Sequence, residues 1–291
     1  MTGRLAGRVA IVTGGGRGIG LQVARSLAAE GARVTIADLG THLDGTGSDE
    51  SPGFEAAASI RLEGGECAFM LTDVADPVAV KSLVEATVER FGGLDILINA
   101  AGNLRAGGLA DMTTDDLDAT LRVHVGGTAL TMQAALEFWK TRPGSSRRVV
   151  NVSSESGLFG EGPYLAYGAA KAAVVALTLG AVDELAAVGA TAHVFIPQAS
   201  TRMTSSIPAS LLGDTGDGKW LPGGEYDPIN VTPALLYLAG EESDWLSGRV
   251  VGGWGYEIHL YSAPARTRSM YGDGPWDLSQ LRSRLPEAFG P

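Results

Sequence analysis

Short runs rich in valine, isoleucine, leucine and alanine alternate along this chain with longer, helix-length segments. The runs are RVAIVTG (8 to 14), ARVTIAD (32 to 38), CAFMLTDV (67 to 74), LDILINAAG (94 to 102), RRVVNVSS (147 to 154), TAHVFIPQ (191 to 198) and RVVGGWG (249 to 255). Segments such as IGLQVARSLAAEG and PVAVKSLVEATVERFG lie between most of them. Near-continuous apolar strands separated by helices imply a parallel sheet covered on both faces. The pattern therefore predicts an α/β fold, a doubly wound parallel sheet of about seven strands with helices on both faces. No internal repeat or linker divides it, so residues 1–256 are expected to form a single domain, with 257–291 as a C-terminal extension. Two stretches are rich in turn residues, 39–53 and 205–230. Loops this long in a compact domain tend to be functional or mobile.

Composition narrows the function classes. The chain has 291 residues, 45% of them hydrophobic, which is enough for a substantial core and excludes a disordered chain. A formal net charge of -11 argues against nucleic acid or an anionic membrane surface as partner. Cys67 is the only cysteine and permits no internal disulfide, which fits a reducing cytoplasm. The longest apolar stretch, AAVVALTLGAV at 172 to 182, is too short to span a bilayer. The expectation is a soluble, cytoplasmic protein. No metal site stands out, because the histidines and carboxylates lack a spacing that would converge them.

The first strand runs into TGGGRGIG (13 to 20) and then a helix. A strand, glycine turn and helix in that order lays a pyrophosphate on backbone N–H groups at a helix N-terminus. The register that fits is T-G-x-x-x-G-x-G, with Thr13, Gly14, Gly18 and Gly20. Farther on, YGAAK opens an alanine-rich helical stretch, so Tyr167 and Lys171 stand one turn apart on a single face. An ammonium beside a phenol favours phenolate, making the pair a proton donor and acceptor. The bland alternative, a packed tyrosine and a lysine reaching water, has to be settled by context.

That context resembles the short-chain dehydrogenase/reductase family, in its ordinary rather than its extended branch, over about residues 7–256. INAAG (98 to 102) resembles the family's NNAG, and VVNVSS (149 to 154) resembles its fifth strand ending on the catalytic serine. Tyr167 follows Ser154 by 13 residues, the family's spacing, which selects Ser154 over Ser153. The resemblance implies a Rossmann-type fold and an oxidoreductase interconverting a secondary alcohol and a ketone. In it Tyr167 moves the hydroxyl proton, Lys171 lowers the tyrosine pKa and holds the nicotinamide ribose, and Ser154 bonds the substrate oxygen. It also implies cofactor contacts from Thr13, Gly14, Arg17, Gly18, Ile19 and Gly20 in the glycine turn. Asp38 and Leu39 follow the second strand and Asp73 and Val74 the third. Asn99, Ala100 and Gly102 follow the fourth, and Pro197 and Thr201 the sixth. A homodimer or homotetramer is expected.

Departures from the family pattern narrow the reading. LRVHVGGTAL places His124 where the family carries a relay asparagine, so His124 is either a relay member or a buried neutral histidine. Gln198 stands where glycine is usual. VHVGGT, ADLGTHLDGTGSDE and STRMT together resemble the dehydrogenase part of peroxisomal multifunctional enzyme type 2 and its bacterial relatives. This implies hydroxyacyl-CoA, steroid or other bulky apolar alcohols as substrates. A ketoreductase of polyketide or terpenoid type and a catalytically silent dinucleotide-binding protein are the alternatives. Asp38 favours NAD over NADP because a carboxylate there accepts ribose hydroxyls and repels a 2'-phosphate, while Arg17 pulls the other way. Met203 and Trp220, within a glycine-punctuated lid expected over 199–227, join Leu158 and Tyr164 as candidate substrate contacts. The tail after Gly255 is left as a subunit contact, a cover over the substrate, or a loose end.

Overall fold

The strand runs become one eight-stranded sheet in the order β3-β2-β1-β4-β5-β6-β7-β8 in the computed structural model, which describes residues 3–142, 144, 146–204, 219–262 and 266–289. The strands are β1 (Val9–Thr13), β2 (Arg33–Asp38), β3 (Glu66–Leu71), β4 (Ile96–Asn99), β5 (Arg147–Val152), β6 (Ala190–Gln198), β7 (Val250–Trp254) and β8 (Glu257–Tyr261). β1 to β7 are parallel. β8 pairs antiparallel with β7, Trp254 facing Glu257 and Val250 facing Tyr261. The sheet thus gains one strand over the seven expected and continues past Gly255. EIHLY was not legible as a strand because it is short and lies at an edge, where Ile258 and Leu260 remain exposed.

Helices cover both faces, as the apolar strands require. One face packs Val23, Leu27 and Ile60 against Val12, Val34, Ile36 and Ile98. The other packs Leu83, Met132, Ala135 and Trp139 against Ile11, Leu97 and Val149. Local signals set the helix ends. In α3 (Pro77–Phe91) the Asp76 side chain accepts from the Val78 amide at 2.8 Å, and Gly92 closes the C-terminus at φ 87°. This is a side-chain N-cap, a proline at the first position and a left-handed glycine cap. In α4 (Thr114–Leu121), Thr113 and Asp116 form a reciprocal capping box.

Strand order reverses between β1 and its neighbours β2 and β4, and such a switch point opens a crevice at the C-terminal strand ends. Beneath it lies a buried polar layer. Asn99 Nδ2 donates to Asn151 Oδ1 at 2.9 Å, Asn151 Nδ2 to Thr178 Oγ1 at 2.8 Å, and Thr131 Oγ1 to Asn99 Oδ1 at 2.9 Å. Fully paired buried networks of this kind fix one arrangement of the elements that share them.

Residues Met1–Tyr261 form one compact unit and Ser262–Pro291 a second. Within the second, a helix over Leu278–Phe289 buries none of its described residues, and the Arg284 guanidinium lies 4.9 Å from the Trp276 ring centre. Residues 205–218, about half of the expected lid, lie outside the described residues. No helix among the described residues is long and apolar enough to cross a membrane.

Candidate active site

A cleft of about 550 Å³ occupies the crevice above the strand ends. Its first wall is the turn from β1 into α1 (Gly18–Ala29). Gly14 adopts φ 67°, and a Cβ there would stand 2.8 Å from the Ala101 backbone. A Cβ on Gly20 would stand 2.2 Å from the Gly14 carbonyl oxygen. Only glycine lets the turn fold this tightly against β4 and under the helix. No side chain caps α1, so its first-turn amides are left as donors beside the cleft. That cradle suits a pyrophosphate.

Asp38, at the end of β2, is pinned by two amides. Its Oδ2 accepts from Gly16 N at 2.8 Å and its Oδ1 from Gly40 N at 2.7 Å. Arg17 leans the same way, Nη1 donating to the Thr41 carbonyl at 3.3 Å. Arg202 is a second cation here that sequence reasoning missed; burial lowers its pKa, Arg17 lowers it further and Asp38 opposes them. Asp73 is held by the Ala75 amide and by Arg122, at 2.9 and 3.1 Å. Leu39, Val74, Ala100, Gly102, Pro197 and Thr201 also line the cleft. Thr13 and Asn99 do not. Thr13 Oγ1 accepts from the Ala100 and Ala101 amides, each at 3.2 Å, and Asn99 belongs to the polar layer below.

The opposite wall comes from the end of β5 and from α7 (Leu165–Gly180). Two glycines let these segments touch: a Cβ on Gly157 would stand 2.6 Å from the Lys171 carbonyl carbon, and one on Gly168 would stand 2.9 Å from the Ser156 carbonyl oxygen. Ser153 Oγ ties them by donating to the Lys171 carbonyl at 2.9 Å. This close approach brings Ser154 within hydrogen-bonding reach of the Tyr167 phenol. Lys171 Nζ donates to the Val152 carbonyl at 2.8 Å and lies 5.5 Å from the Tyr167 ring centre.

Burial dominates the electrostatics. It pushes the Tyr167 phenol up to about 12, an effect the Ser154 hydrogen bond opposes and the Glu161 carboxylate reinforces. It pushes the Lys171 ammonium down to about 7. Desolvation penalises whichever form is charged, so phenol and amine are both driven toward neutrality, and their pKa values move in opposite directions.

His124 sits in a π-helical turn, Arg122–Gly126, between α4 and α5 (Gly127–Thr141). Its ring stands edge-on to Tyr167 with centroids 5.4 Å apart, and its Nε2 lies 3.2 Å from the Asn103 amide and 2.8 Å from the Asn103 carbonyl. Gly102 makes room for it, since a Cβ there would come within 2.3 Å of His124 Cε1. Burial, and then Lys171, push the imidazole down to about 3, so it stays neutral at physiological pH. Single-turn π segments recur at functional sites, but nothing in an amphipathic pattern marks them.

Of the candidate substrate contacts, Ser154, Tyr164, Tyr167 and Met203 line the cleft. Leu158 packs instead against the cluster of Val194, Ile196 and Val250, and Trp220 stacks on Tyr226 with centroids 4.3 Å apart. Sequence reasoning missed Ser156 and Glu161, both on the lining beside Ser154.

Comparison with known proteins agrees with this geometry. The model of the short chain dehydrogenase family matches residues 8–211. The chain is 32% identical to the hydroxyacyl-CoA dehydrogenase ChsB1 of Mycobacterium tuberculosis, over 98% of this chain and 89% of that one. It is 30% identical to the peroxisomal multifunctional enzyme type 2 of Drosophila melanogaster, over 88% of this chain and 41% of that protein. Among solved structures it is similar to a short chain dehydrogenase from Mycobacterium avium, with TM-score 0.86, 33% identity and coverage of 99% and 96% of the two chains. A short chain dehydrogenase from Burkholderia cenocepacia in complex with NADP superposes with TM-score 0.71 and 33% identity, over 86% and 97%. The resemblance to multifunctional enzyme type 2 and to bacterial hydroxyacyl-CoA dehydrogenases is thereby shown. A glycine cradle at the sheet's switch point, a serine, tyrosine and lysine on the facing wall, and a family match over most of the chain lead to one conclusion: this chain is an oxidoreductase of CH–OH groups belonging to the short-chain dehydrogenase/reductase family.

Proposed function

We propose that the protein interconverts a secondary alcohol and a ketone with NAD, using Tyr167 as the acid/base. The observation that carries this reading is the meeting of Ser154, Tyr167 and Lys171 on one wall of a cleft whose far end holds Asp38. Gly14 to Gly20 and the open end of α1 would hold the dinucleotide pyrophosphate, Asp38 the adenosine ribose and Lys171 the nicotinamide ribose. When bound, the cofactor supplies the hydride acceptor or donor and, oxidised, a positive charge that favours phenolate. Tyr167 takes the hydroxyl proton during oxidation and returns it during reduction. Ser154 bonds the substrate oxygen and steadies the charge that develops there. His124 buttresses Tyr167 edge-on as a neutral ring, and a titrating relay role is not assigned to it.

NAD is preferred to NADP in this reading because the Asp38 carboxylate would meet a 2'-phosphate. Arg17 and Arg202 soften that repulsion without abolishing it. Similarity to ChsB1 and to multifunctional enzyme type 2 supports a hydroxyacyl-CoA or a bulky alicyclic alcohol as substrate, and we place the enzyme in the cytoplasm as a homodimer or homotetramer. Absorbance of reduced nicotinamide, followed with NAD and with NADP against (3R)- and (3S)-hydroxyacyl-CoA esters, hydroxysteroids and cyclic alcohols, tests the assignment. Turnover of one of these classes with NAD is the expected result. Tight dinucleotide binding without turnover of any alcohol or ketone would indicate a silent binding protein instead.

A further inference from the structure

A hydrogen-bonded row leads from Ser154, beside the Tyr167 phenol, to a carboxylate. Ser154, within reach of the Tyr167 phenol, donates through Oγ to Ser156 Oγ at 3.3 Å, and Ser156 Oγ donates to Glu161 Oε2 at 2.5 Å. The Ser156 amide also donates to Ser154 Oγ at 3.3 Å. Ser154 is thus held from two sides by Ser156, and the only hydroxyl of Ser156 is committed to Glu161. Ser156 is buried, 7% exposed, so its hydroxyl needs that partner, and an oxygen acceptor carrying charge makes the stronger bond. Glu161 is brought there by the turn between the short helix Ser156–Phe159 and α7, where Gly160 at φ 75° reverses the chain and Tyr164 N donates to the Glu161 carbonyl at 3.1 Å.

We propose that Glu161 is a positioning residue of this active site, acting through Ser156 to hold the Ser154 hydroxyl beside Tyr167 and placing a fixed carboxylate close to the reacting oxygen. The inference rests on Tyr167 being the acid/base. Two consequences separate it from a merely structural role. Loss of the row loosens Ser154, which lowers turnover. Loss of the charge alone changes the pH at which Tyr167 gives up its proton, because Glu161 opposes phenolate. The other titratable groups around the phenol are Lys171 on its own helix, His124 in the π-helical turn, Tyr164 before α7, and Glu155, whose Oε1 accepts from Tyr261 at 2.9 Å. None of them belongs to the row, so their contributions are common to all variants compared.

The test measures kcat/KM for oxidation of one neutral secondary alcohol against pH, in the full chain with NAD, for the parent and for Glu161→Gln, Ser156→Ala and Glu161→Asp. Oxidation needs phenolate, so the rate rises with pH through the tyrosine pKa. Removing a neighbouring negative charge lowers that pKa. Glu161→Gln is therefore expected to move the rising limb to lower pH by about half a unit to two units. Ser156→Ala keeps the charge and breaks the row. It should lower the plateau by about 3- to 10-fold, the worth of one hydrogen bond, and move the limb toward higher pH, opposite to Glu161→Gln, because a loosened Ser154 favours phenolate less. Glu161→Asp, charged but shorter, should behave like Ser156→Ala. A Glu161→Gln profile superimposed on the parent's, with an unchanged plateau in Ser156→Ala, would overturn the inference. Tyr167→Phe run alongside tells the two levels apart. If it is inactive while the Glu161 and Ser156 variants are unchanged, only this inference fails; if it stays active, the acid/base reading falls and this inference with it.

Discussion

Replacing Asp38 by alanine is the perturbation whose size follows most directly from the geometry of the cofactor end. Both carboxylate oxygens accept backbone amides, from Gly16 at 2.8 Å and from Gly40 at 2.7 Å. Hydrogen bonds to a charged group are worth about 1.5–3 kcal/mol each, so the carboxylate fixes the glycine turn as well as, in the proposed reading, offering acceptors to the ribose. A ribose that loses this acceptor should bind NAD about 10- to 100-fold more weakly. For NADP the sign reverses. One unit charge against another at about 4 Å costs about 4 kcal/mol at an effective dielectric of about 20, and alanine removes that repulsion while Arg17 and Arg202 stay. The ratio of kcat/KM for NAD over NADP should therefore fall by at least about 100-fold, most of it gained on the NADP side. Initial rates with both cofactors at saturating alcohol measure it directly. Asp38→Asn separates the parts, because it removes the charge and keeps one acceptor oxygen for the turn. A parent enzyme that already prefers NADP, or an Asp38→Ala ratio within about threefold of the parent's, would refute the reasoning and hand cofactor choice to Arg17 and Arg202.

Gly20→Ala places a Cβ 2.2 Å from the Gly14 carbonyl oxygen, backbone that cannot give way cheaply, so cofactor affinity should fall at least about tenfold by fluorescence titration, with a lowered Tm. His124, held near a pKa of about 3 by burial, binds no proton in the folded state at mildly acidic pH, whereas the unfolded chain does. Stability should consequently fall as pH drops below about 6.5, by about 1.4 kcal/mol per pH unit for this one group, the loss continuing toward the folded-state pKa. Urea unfolding at a series of pH values checks this, and His124→Gln should remove about one proton's worth of the slope. His193, pushed down to about 4 by burial, adds a second such slope that His124→Gln leaves in place.

Much of this was legible in the sequence, for identifiable reasons. Strands buried on both faces read as unbroken apolar runs, so β1, β4, β5 and β6 stood out, the edge strand β3 was legible from its apolar run although it is only partly buried, and the glycine turn between β1 and α1 was picked out by spacing. Tyr167 and Lys171 were singled out by a one-turn separation on a helix and Ser154 by its distance from Tyr167 in the resemblance, and the structure brings all three to one cleft. β8 escaped because its apolar side chains face outward at an edge and present no buried face. Thr13 and Asn99 carry motif residues whose side chains turn down into the polar layer; a motif gives the position of a residue but not which way it points. Leu158 lies in the short helix Ser156–Phe159 and Trp220 outside any helix or strand, and their partners, the Val194 and Ile196 cluster and Tyr226, were set by how these connecting segments fold back. Ser156 and Glu161 were hidden for the same reason. SESGLFGEGP has the look of an ordinary turn, and the hydrogen bond that joins its two ends has no period to reveal it.

The central claim is that Tyr167 moves the proton, and Tyr167→Phe tests it most directly. Phenylalanine keeps the ring that packs edge-on against His124 and removes only the hydroxyl beside Ser154. In the proposed reading cofactor binding rests mainly on the glycine turn and Asp38, so the NAD dissociation constant measured by fluorescence titration should stay within about threefold of the parent's. Turnover of the best alcohol should fall by roughly 100- to 10,000-fold, the range supplied by a positioned general acid/base. Activity within about tenfold of the parent's, with binding intact, would contradict the account.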